Sequence, residues 1–418
     1  MRLGLLLTGF ALAACVAGAS SCFTFVSFDP DGAGGSGGSS SPSTAVPATG
    51  TGAGGDTGGV GGTGGAPNCD SNLQTDPANC GKCGWSCGDG ATCNDALCSA
   101  VAFPISGVTT LTTAPIGGVR RLVTAAKTNG SMVSVVVWND DLTDAVETVS
   151  VAESGGGGVL FEGQDRVYYA PQGYLPCNSG DACIERVDFG PGGGTVSQVI
   201  LAHDTEQADH INGLVIQGGQ AFFDTAIGRT VHRVGLACLN ASGTPDCTAD
   251  ATAMVVAAMN DVVSQGASRL DFTGGQLWWT SYDGCVFKAD ASAVNQMVDC
   301  AYAGMDLANH NAERLTASAA GVFTSTLSGP VFTLPSLGST DPAPLPGLVG
   351  PVDSDDRYLY AFKTASHEVV VVDPLSGNLV SAASAGANAI VALDASSDPD
   401  WVYFTTSANL FRWRKPAP

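Results

Sequence analysis

Seven short segments recur between residues 120 and 406, each an apolar run set beside a Gly or Asp turn and most of them aromatic. They are "RRLVTAA" at Val123, "DRVYYAP" at Tyr168, "GGQAFFDT" at Phe222, "GGQLWWTS" at Trp278, "AGVFTST" at Phe323, "DRYLYAF" at Tyr360 and "DWVYFTT" at Tyr403. The intervals are 45, 54, 56, 45, 37 and 43 residues. A repeat of about 45 residues made of short alternating runs is the signature of a sheet propeller, with four strands to each unit. One unit parses as "HINGLVIQ", "QAFFDTA", "RTVHRVGL" and "ATAMVVAA"; the next as "SRLDFT", "QLWWTS", "CVFKAD" and "NQMVDCAY". Apolar and polar residues alternate in each, and Gly, Asp and Asn stand at the turns. Seven separate blades are expected over residues 99–418.

The last unit offers "AIVALDA", "WVYFTT" and "NLFRWR" before the chain stops. Its outer strand is expected from residues 100–105, "AVAFPI", which would pair the two ends of the repeat region and leave no open edge.

Composition agrees with an all-β chain. Gly numbers 55 of 418 residues, and charged residues are only 13%, so the Glu, Lys and Arg that fill helix surfaces are scarce. Lys and Arg total 17 against 39 Asp and Glu, a formal net charge of -22. Such a chain repels phosphate backbones, which argues against a nucleic-acid partner.

The first residues, "MRLGLLLTGFALAACVAGASSC", run from one basic residue through an apolar stretch to small residues. That is the order of a secretory signal, and the stretch is short for a membrane span. Residues 1–21 read as a lipoprotein signal, with Cys22 as the lipidated residue and Cys15 as the alternative. Cysteine parity favours Cys22, because the twelve cysteines beyond it can all pair. Residues 22–67 read as the anchor and a tether. The stretch from Asp29 to Pro67 has almost no bulky apolar side chain to bury, and as a Gly-rich coil it reaches roughly 35 Å. The expected location is the bacterial envelope, anchored at the outer membrane through lipid alone, as a monomer.

Residues 68–98 carry six cysteines: Cys69, Cys80, Cys83, Cys87, Cys93 and Cys98. Only Cys80 and Cys83 have the close spacing of a zinc knuckle, and no histidine is near. In an exported chain a small segment without its own core is read as a disulfide module. Six cysteines allow 15 pairings, and the sequence does not choose among them. Downstream, Cys177 with Cys183, Cys238 with Cys247, and Cys285 with Cys300 are close enough in the chain to staple single hairpins.

Two resemblances follow. "TDPANCGKCGWSCGDGATCNDALC" resembles the cysteine-rich repeat of plant stigma-specific proteins and similar modules of myxobacterial-type surface lipoproteins, which implies an extracellular structural or interaction role. "LWWTSYDGCVFKADAS" resembles the Tyr-Trp-Thr-Asp repeats of lipoprotein-receptor propellers and their bacterial NHL-like relatives, although the full tetrapeptide is absent and those receptor propellers have six blades.

For chemistry, no zinc-protease motif, no phosphate loop and no G-x-G-x-x-G after a strand is present, and no nucleophile elbow lies in the repeat region. Aligning the inner strands on Leu214, Leu270, Leu315 and Ile390 puts Asn212, Ser268, Glu313 and Asn388 two residues earlier, with His210 and His310 just upstream. Lactonase-like propellers hold a divalent cation with Glu and Asn near such places. Here calcium is the candidate ion and Glu313 the one carboxylate; no Asp completes the ring, so the same residues also read as a solvated rim. The reading is a non-catalytic envelope protein that presents a propeller to a protein, glycan or small molecule, without a cofactor. The alternative is a metal-dependent, lactonase-like hydrolase.

Overall fold

The computed structural model describes residues 72–416, apart from 83–84, 89, 96, 130–131, 153–157, 172–180, 191, 204–210, 226–229, 250–254, 260–266, 282–284, 304–313, 326–328 and 335–342. The signal, the tether, Cys15, Cys22, Cys69, Cys83, Cys177, His210, His310 and Glu313 lie outside the described residues.

A two-stranded ribbon comes first, β1 (Cys93–Asn94) with β2 (Leu97–Cys98), and then the short strand β3 (Val101–Phe103). Sheet I follows: β4 (Val108–Ile116), β5 (Val119–Asn129), β6 (Met132–Trp138) and β7 (Ala145–Ala152). Sheet II is β8 (Gly158–Gly163), β9 (Arg166–Pro171), β10 (Asp181–Asp188) and β11 (Thr195–His203). Sheet III begins with β12 (Ile211–Gln217), β13 (Gln220–Thr225) and β14 (Thr230–Gly235), passes through one helical turn α1 (Leu236–Leu239), and continues with β15 (Val255–Met259). Sheet IV is β16 (Ala267–Thr273), β17 (Gln276–Ser281) and β18 (Cys285–Asp290), with β20 (Tyr302–Ala303) at its edge; between them lies β19 (Gln296–Val298). Sheet V runs β21 (Arg314–Ser318), β22 (Gly321–Ser325), β23 (Pro330–Leu334), β24 (Ala343–Ser354), β25 (Leu359–Lys363), β26 (Glu368–Val372) and β27 (Leu379–Ser384). Sheet VI is β28 (Ile390–Asp394), β29 (Trp401–Thr406) and β30 (Leu410–Arg414), closed by β3. Among the described strands, pairing is antiparallel except between β15 and β19, and one isolated parallel bridge joins Ile200 to Asp246.

Strands β4, β8, β12, β16, β21, β24 and β28 neighbour one another in that order, and β28 neighbours β4, so the sheets close into a propeller ring. The seam lies in sheet VI, where Val101, Ala102 and Phe103 pair with Arg412, Phe411 and Leu410. The N-terminal side of the repeat region thus supplies the outer strand that the last unit lacks.

The expectation of seven separate blades needs correcting. Sheets I to IV and sheet VI stand as five separate blades, whereas β21 to β27 form one continuous seven-stranded sheet. The cause is β24, twelve residues long. Its first part pairs with β23, its last part with β25, and Val349 pairs with both Pro330 and Phe362. The segment "NQMV" also departs from its expected place. It does not form the outer strand of its own sheet; as β19 it pairs in parallel with β15 of sheet III, and β20 takes the edge of sheet IV instead.

The recurring aromatics mark the second strand of each unit. Tyr168, Tyr169, Phe223, Trp279 and Phe404 are wholly buried. A middle strand is covered on both faces by adjacent sheets, so it reads as a continuous apolar run rather than an alternating one. The core therefore lies between sheets. Val123, Val135, Val167 and Tyr169 join sheets I and II; Tyr168, Ile184, Leu214 and Phe223 join II and III; Leu111, Leu122, Tyr403 and Leu410 join VI and I. Strand β6, third in sheet I, alternates instead: Val133, Val135 and Val137 are buried and their neighbours half-exposed. Among the described residues, no helix is long and apolar enough to cross a membrane.

Candidate functional site: the axial cavity

Strand register aligns the units better than the sequence does. Leu111 lies opposite Thr124, Leu160 opposite Tyr169, Leu214 opposite Phe223, Leu270 opposite Trp279, Leu315 opposite Thr324, Val352 opposite Ala361 and Leu393 opposite Phe404. In every unit the partner follows the recurring segment's marker residue by one. The equivalent of Leu214 in the last unit is therefore Leu393, three residues beyond Ile390. These seven aliphatic side chains all line one cavity of about 1380 Å³.

The polar residues that the ring assembles come directly after this aliphatic girdle. Asp271 Oδ2 accepts the Ala317 N–H at 2.7 Å. Thr316 Oγ1 accepts the Ser354 N–H at 3.1 Å. Asp353 Oδ2 accepts the N–H groups of Ala395 at 2.6 Å and Ser396 at 3.0 Å. Asp394 holds Ser397 through its N–H at 3.0 Å and its hydroxyl at 2.6 Å, and Ser397 Oγ in turn accepts the Thr113 N–H at 2.9 Å. At each step a side chain one residue past the girdle satisfies, directly or through Ser397, a backbone donor at or beside the second residue past the girdle on the next strand. Inner strands stand side by side without a ladder between them, so these donors need side-chain acceptors.

This belt covers four consecutive junctions. Between β4 and β8 a different pair acts, with the Leu160 N–H on Thr110 Oγ1 at 3.3 Å. The next two junctions have Phe161 and Val215 at the belt position, and neither side chain offers an acceptor. Phe161 packs into the core between sheets II and III, and Val215 into that between III and IV. Gly213 permits the latter approach, since a Cβ there would stand 2.7 Å from the Leu270 backbone nitrogen.

Beyond the belt, Arg120, Arg357 and Lys415 line the cavity. Arg120 bonds Glu162 and Thr113, each at 3.0 Å, and the Ser397 carbonyl at 2.5 Å. Lys415, buried, pairs with Asp355 at 3.0 Å and donates to the Ala395 carbonyl at 2.6 Å. Burial alone would raise the Asp355 pKa, but Lys415 and the N–H groups of Tyr358 and Arg357 outweigh it, and the net shift is downward. Asp394 moves the other way. Burial and the charge of Asp353 push it up to about 7, against the two bonds from Ser397. Glu162 is also raised by burial, with Arg120 opposing.

The cysteine module contributes to the same wall. Trp85 lines the cavity, donates its indole N–H to the Lys415 carbonyl at 3.1 Å, and carries the Arg414 guanidinium over its ring at 4.3 Å. Cys80 bonds to Cys93 and Cys87 to Cys98. The sulfurs of Cys80, Cys87 and Cys98 cluster within 4.8 Å, but each belongs to a disulfide and is not a free thiolate ligand.

Of the residues singled out from sequence, Asn388 is exposed in the bend before β28. Asn212 and Ser268 stand in β12 and β16, two residues before Leu214 and Leu270. They belong to the strand starts, whereas the belt lies past the girdle toward the strand ends. The belt did have a sequence signal: "LTT", "LDF", "LTA", "VDS" and "LDA" repeat an aliphatic residue followed by Asp or Thr. The residues before each aliphatic position do not carry it.

No protein-family model matches the chain, and no curated protein matches it. Among solved structures, virginiamycin B lyase from Staphylococcus aureus is similar, with a TM-score of 0.52 at 10% identity over 76% of this chain and 99% of that one. BamB from Moraxella catarrhalis aligns over 74% of this chain and 85% of its own, at 14% identity and a TM-score of 0.43. The first likeness shows a shared β-propeller fold and no more.

Proposed function

We propose that the protein is a non-catalytic binding lipoprotein of the bacterial envelope, anchored through Cys22, with Cys15 as the alternative. In this reading the propeller offers the axial cavity mouth to a protein, glycan or small molecule. The ring acts as seven blades, with β24 serving as the outer strand of one and the inner strand of the next. The closed order of seven inner strands supports that count.

One observation carries the non-catalytic reading. The belt carboxylates Asp271, Asp353 and Asp394 each accept hydrogen bonds on both oxygens, from backbone or Ser397. Carboxylates held this way act as structural acceptors that fix strand to strand, whereas a catalytic pair or a metal centre needs oxygens left open to substrate or ion. The cavity itself combines half-buried Phe272 and Tyr358 with polar groups, as binding sites do.

The alternative, a metal-dependent lactonase-like hydrolase, would use Asn212, Ser268, Glu313 and Asn388, with His210 and His310 above them. Thermal melts of the purified chain with and without calcium, alongside a lactone-hydrolysis assay, separate the two. A calcium-dependent rise in Tm that Glu313→Gln removes, together with hydrolysis, would replace the binding reading. The proposal expects neither, and expects a ligand retained from envelope extract to be lost in Phe272→Ala or Tyr358→Ala. Intact-mass analysis of membrane-extracted protein tests the anchor; a mature chain beginning at Cys15 or Val16 would overturn Cys22.

A further inference from the structure

Among the described residues, disulfide-closed loops cross the two junctions that have Phe161 and Val215 at the belt position, β8 with β12 and β12 with β16. The loop closed by Cys238–Cys247 leaves sheet III and lies on sheet II. There the Ile200 N–H donates to the Pro245 carbonyl and the Cys247 N–H to the Ile200 carbonyl, both at 2.9 Å. Arg186, buried in sheet II, donates to the carbonyls of Leu239 at 2.8 Å and Ala241 at 2.6 Å, and the Tyr168 hydroxyl donates to Asn240 at 2.6 Å. The loop closed by Cys285–Cys300 leaves sheet IV and supplies β19 to sheet III. The Asn295 N–H donates to the Val255 carbonyl at 2.7 Å, and Arg233 reaches the Ala291 carbonyl at 3.0 Å. A loop held short by a cross-link loses less entropy when it docks. Each bridge closes a connection between paired strands of one sheet, as the sequence leads one to expect, β18 with β20 for Cys285–Cys300 and β14 with β15 for Cys238–Cys247, and the loop so closed also reaches the neighbouring sheet.

We infer that Cys238–Cys247 and Cys285–Cys300 are redox-sensitive clamps between sheets, replacing at these two junctions the polar belt that holds four of the other five. Reduction then loosens the ring there and leaves the belted junctions closed. Each cystine takes up two electrons and two protons. A dithiol such as dithiothreitol supplies both as it closes to its cyclic disulfide, so no further reactant is needed.

The test is hydrogen exchange on the full chain. Paired variants Cys238→Ser with Cys247→Ser, and Cys285→Ser with Cys300→Ser, leave the module bridges intact. Exchange should rise about tenfold or more in the partner strands, at Val199–Leu201 for the first pair and Val255–Met259 for the second, with Thr113, Ala317 and Ala395 unchanged. Should a variant fail to fold, the same peptides are followed in the folded wild type as dithiothreitol is added. A rise confined to residues 236–247 or 285–303 would mean simple hairpin staples. A rise spread evenly round the ring, or none, would equally overturn the inference.

Discussion

Asp394 holds two neighbours at once: Ser397 directly, and through it Thr113 of the first inner strand. Its carboxyl is raised to about 7, far above the ordinary aspartate range, by burial first and the Asp353 charge second. The folded chain therefore holds a proton that the unfolded chain has released between about pH 4 and 7. This favours the folded state below pH 4, and the advantage is lost as pH rises through 7. Asp355, shifted down, works in the opposite sense and withdraws its contribution only as pH falls below its unfolded value. Tm should then fall from pH 5 to pH 8. Asp394→Asn, which mimics the protonated acid, should flatten that slope and raise Tm at pH 8; an unchanged slope would show that Asp394 does not set it. Asp353 tests the belt itself. Replacing it with Ala leaves the donors of Ala395 and Ser396 without their acceptor, which should cost on the order of 2 kcal/mol or more in urea unfolding. Asp356→Ala, at an exposed neighbour, should change little.

At the scale of strands, what the sequence discloses depends on how local its cause is. The second strands are legible because burial on both faces demands an unbroken apolar run, as at Tyr168 and Tyr169. The closing strand is legible too, because "NLFRWR" needs a partner and "AVAFPI" is a spare strand. β24 is not, since "PLPGLVG" carries the Pro and Gly of a loop and its two-sided pairing depends on sheets already in place. Nor is β19, a three-residue strand whose parallel pairing lies in another unit. The belt falls between these cases: its Leu-Asp and Leu-Thr pairs are local, but their acceptor role requires the next inner strand alongside. The seam offers a test at this scale. Deleting residues 100–105 strips β30 of its outer partner, β3, and exposes the N–H and C=O groups of that edge. Concentration-dependent aggregation, followed by light scattering, is the expected outcome; a monodisperse, folded product would show that β3 is dispensable for closure.

Over the whole molecule, the cysteine module belongs to the ring. Among the described residues its apolar cluster is five buried residues, four of them cysteines, too little to hold a fold without bridges or a neighbour. It gains that neighbour at the seam. Trp413 donates its indole N–H to the Cys98 carbonyl at 2.8 Å, and Trp85 donates to Lys415. Arg414 lies over Trp85 at 4.3 Å and Trp401 at 4.9 Å, while Arg412 covers Trp401 at 4.7 Å. Aromatic and guanidinium groups thus alternate from the module to β30, and partial desolvation strengthens each contact. Module and propeller should consequently unfold in one transition, with Trp85 fluorescence and far-ultraviolet dichroism changing together. A double-mutant cycle of Trp85→Ala and Arg414→Ala isolates the contact that couples them. A coupling energy of about 0.5–2 kcal/mol is expected. Additive single losses, or a Trp85 transition that precedes loss of the sheets, would make the module a separate folding unit that touches the cavity without bracing it.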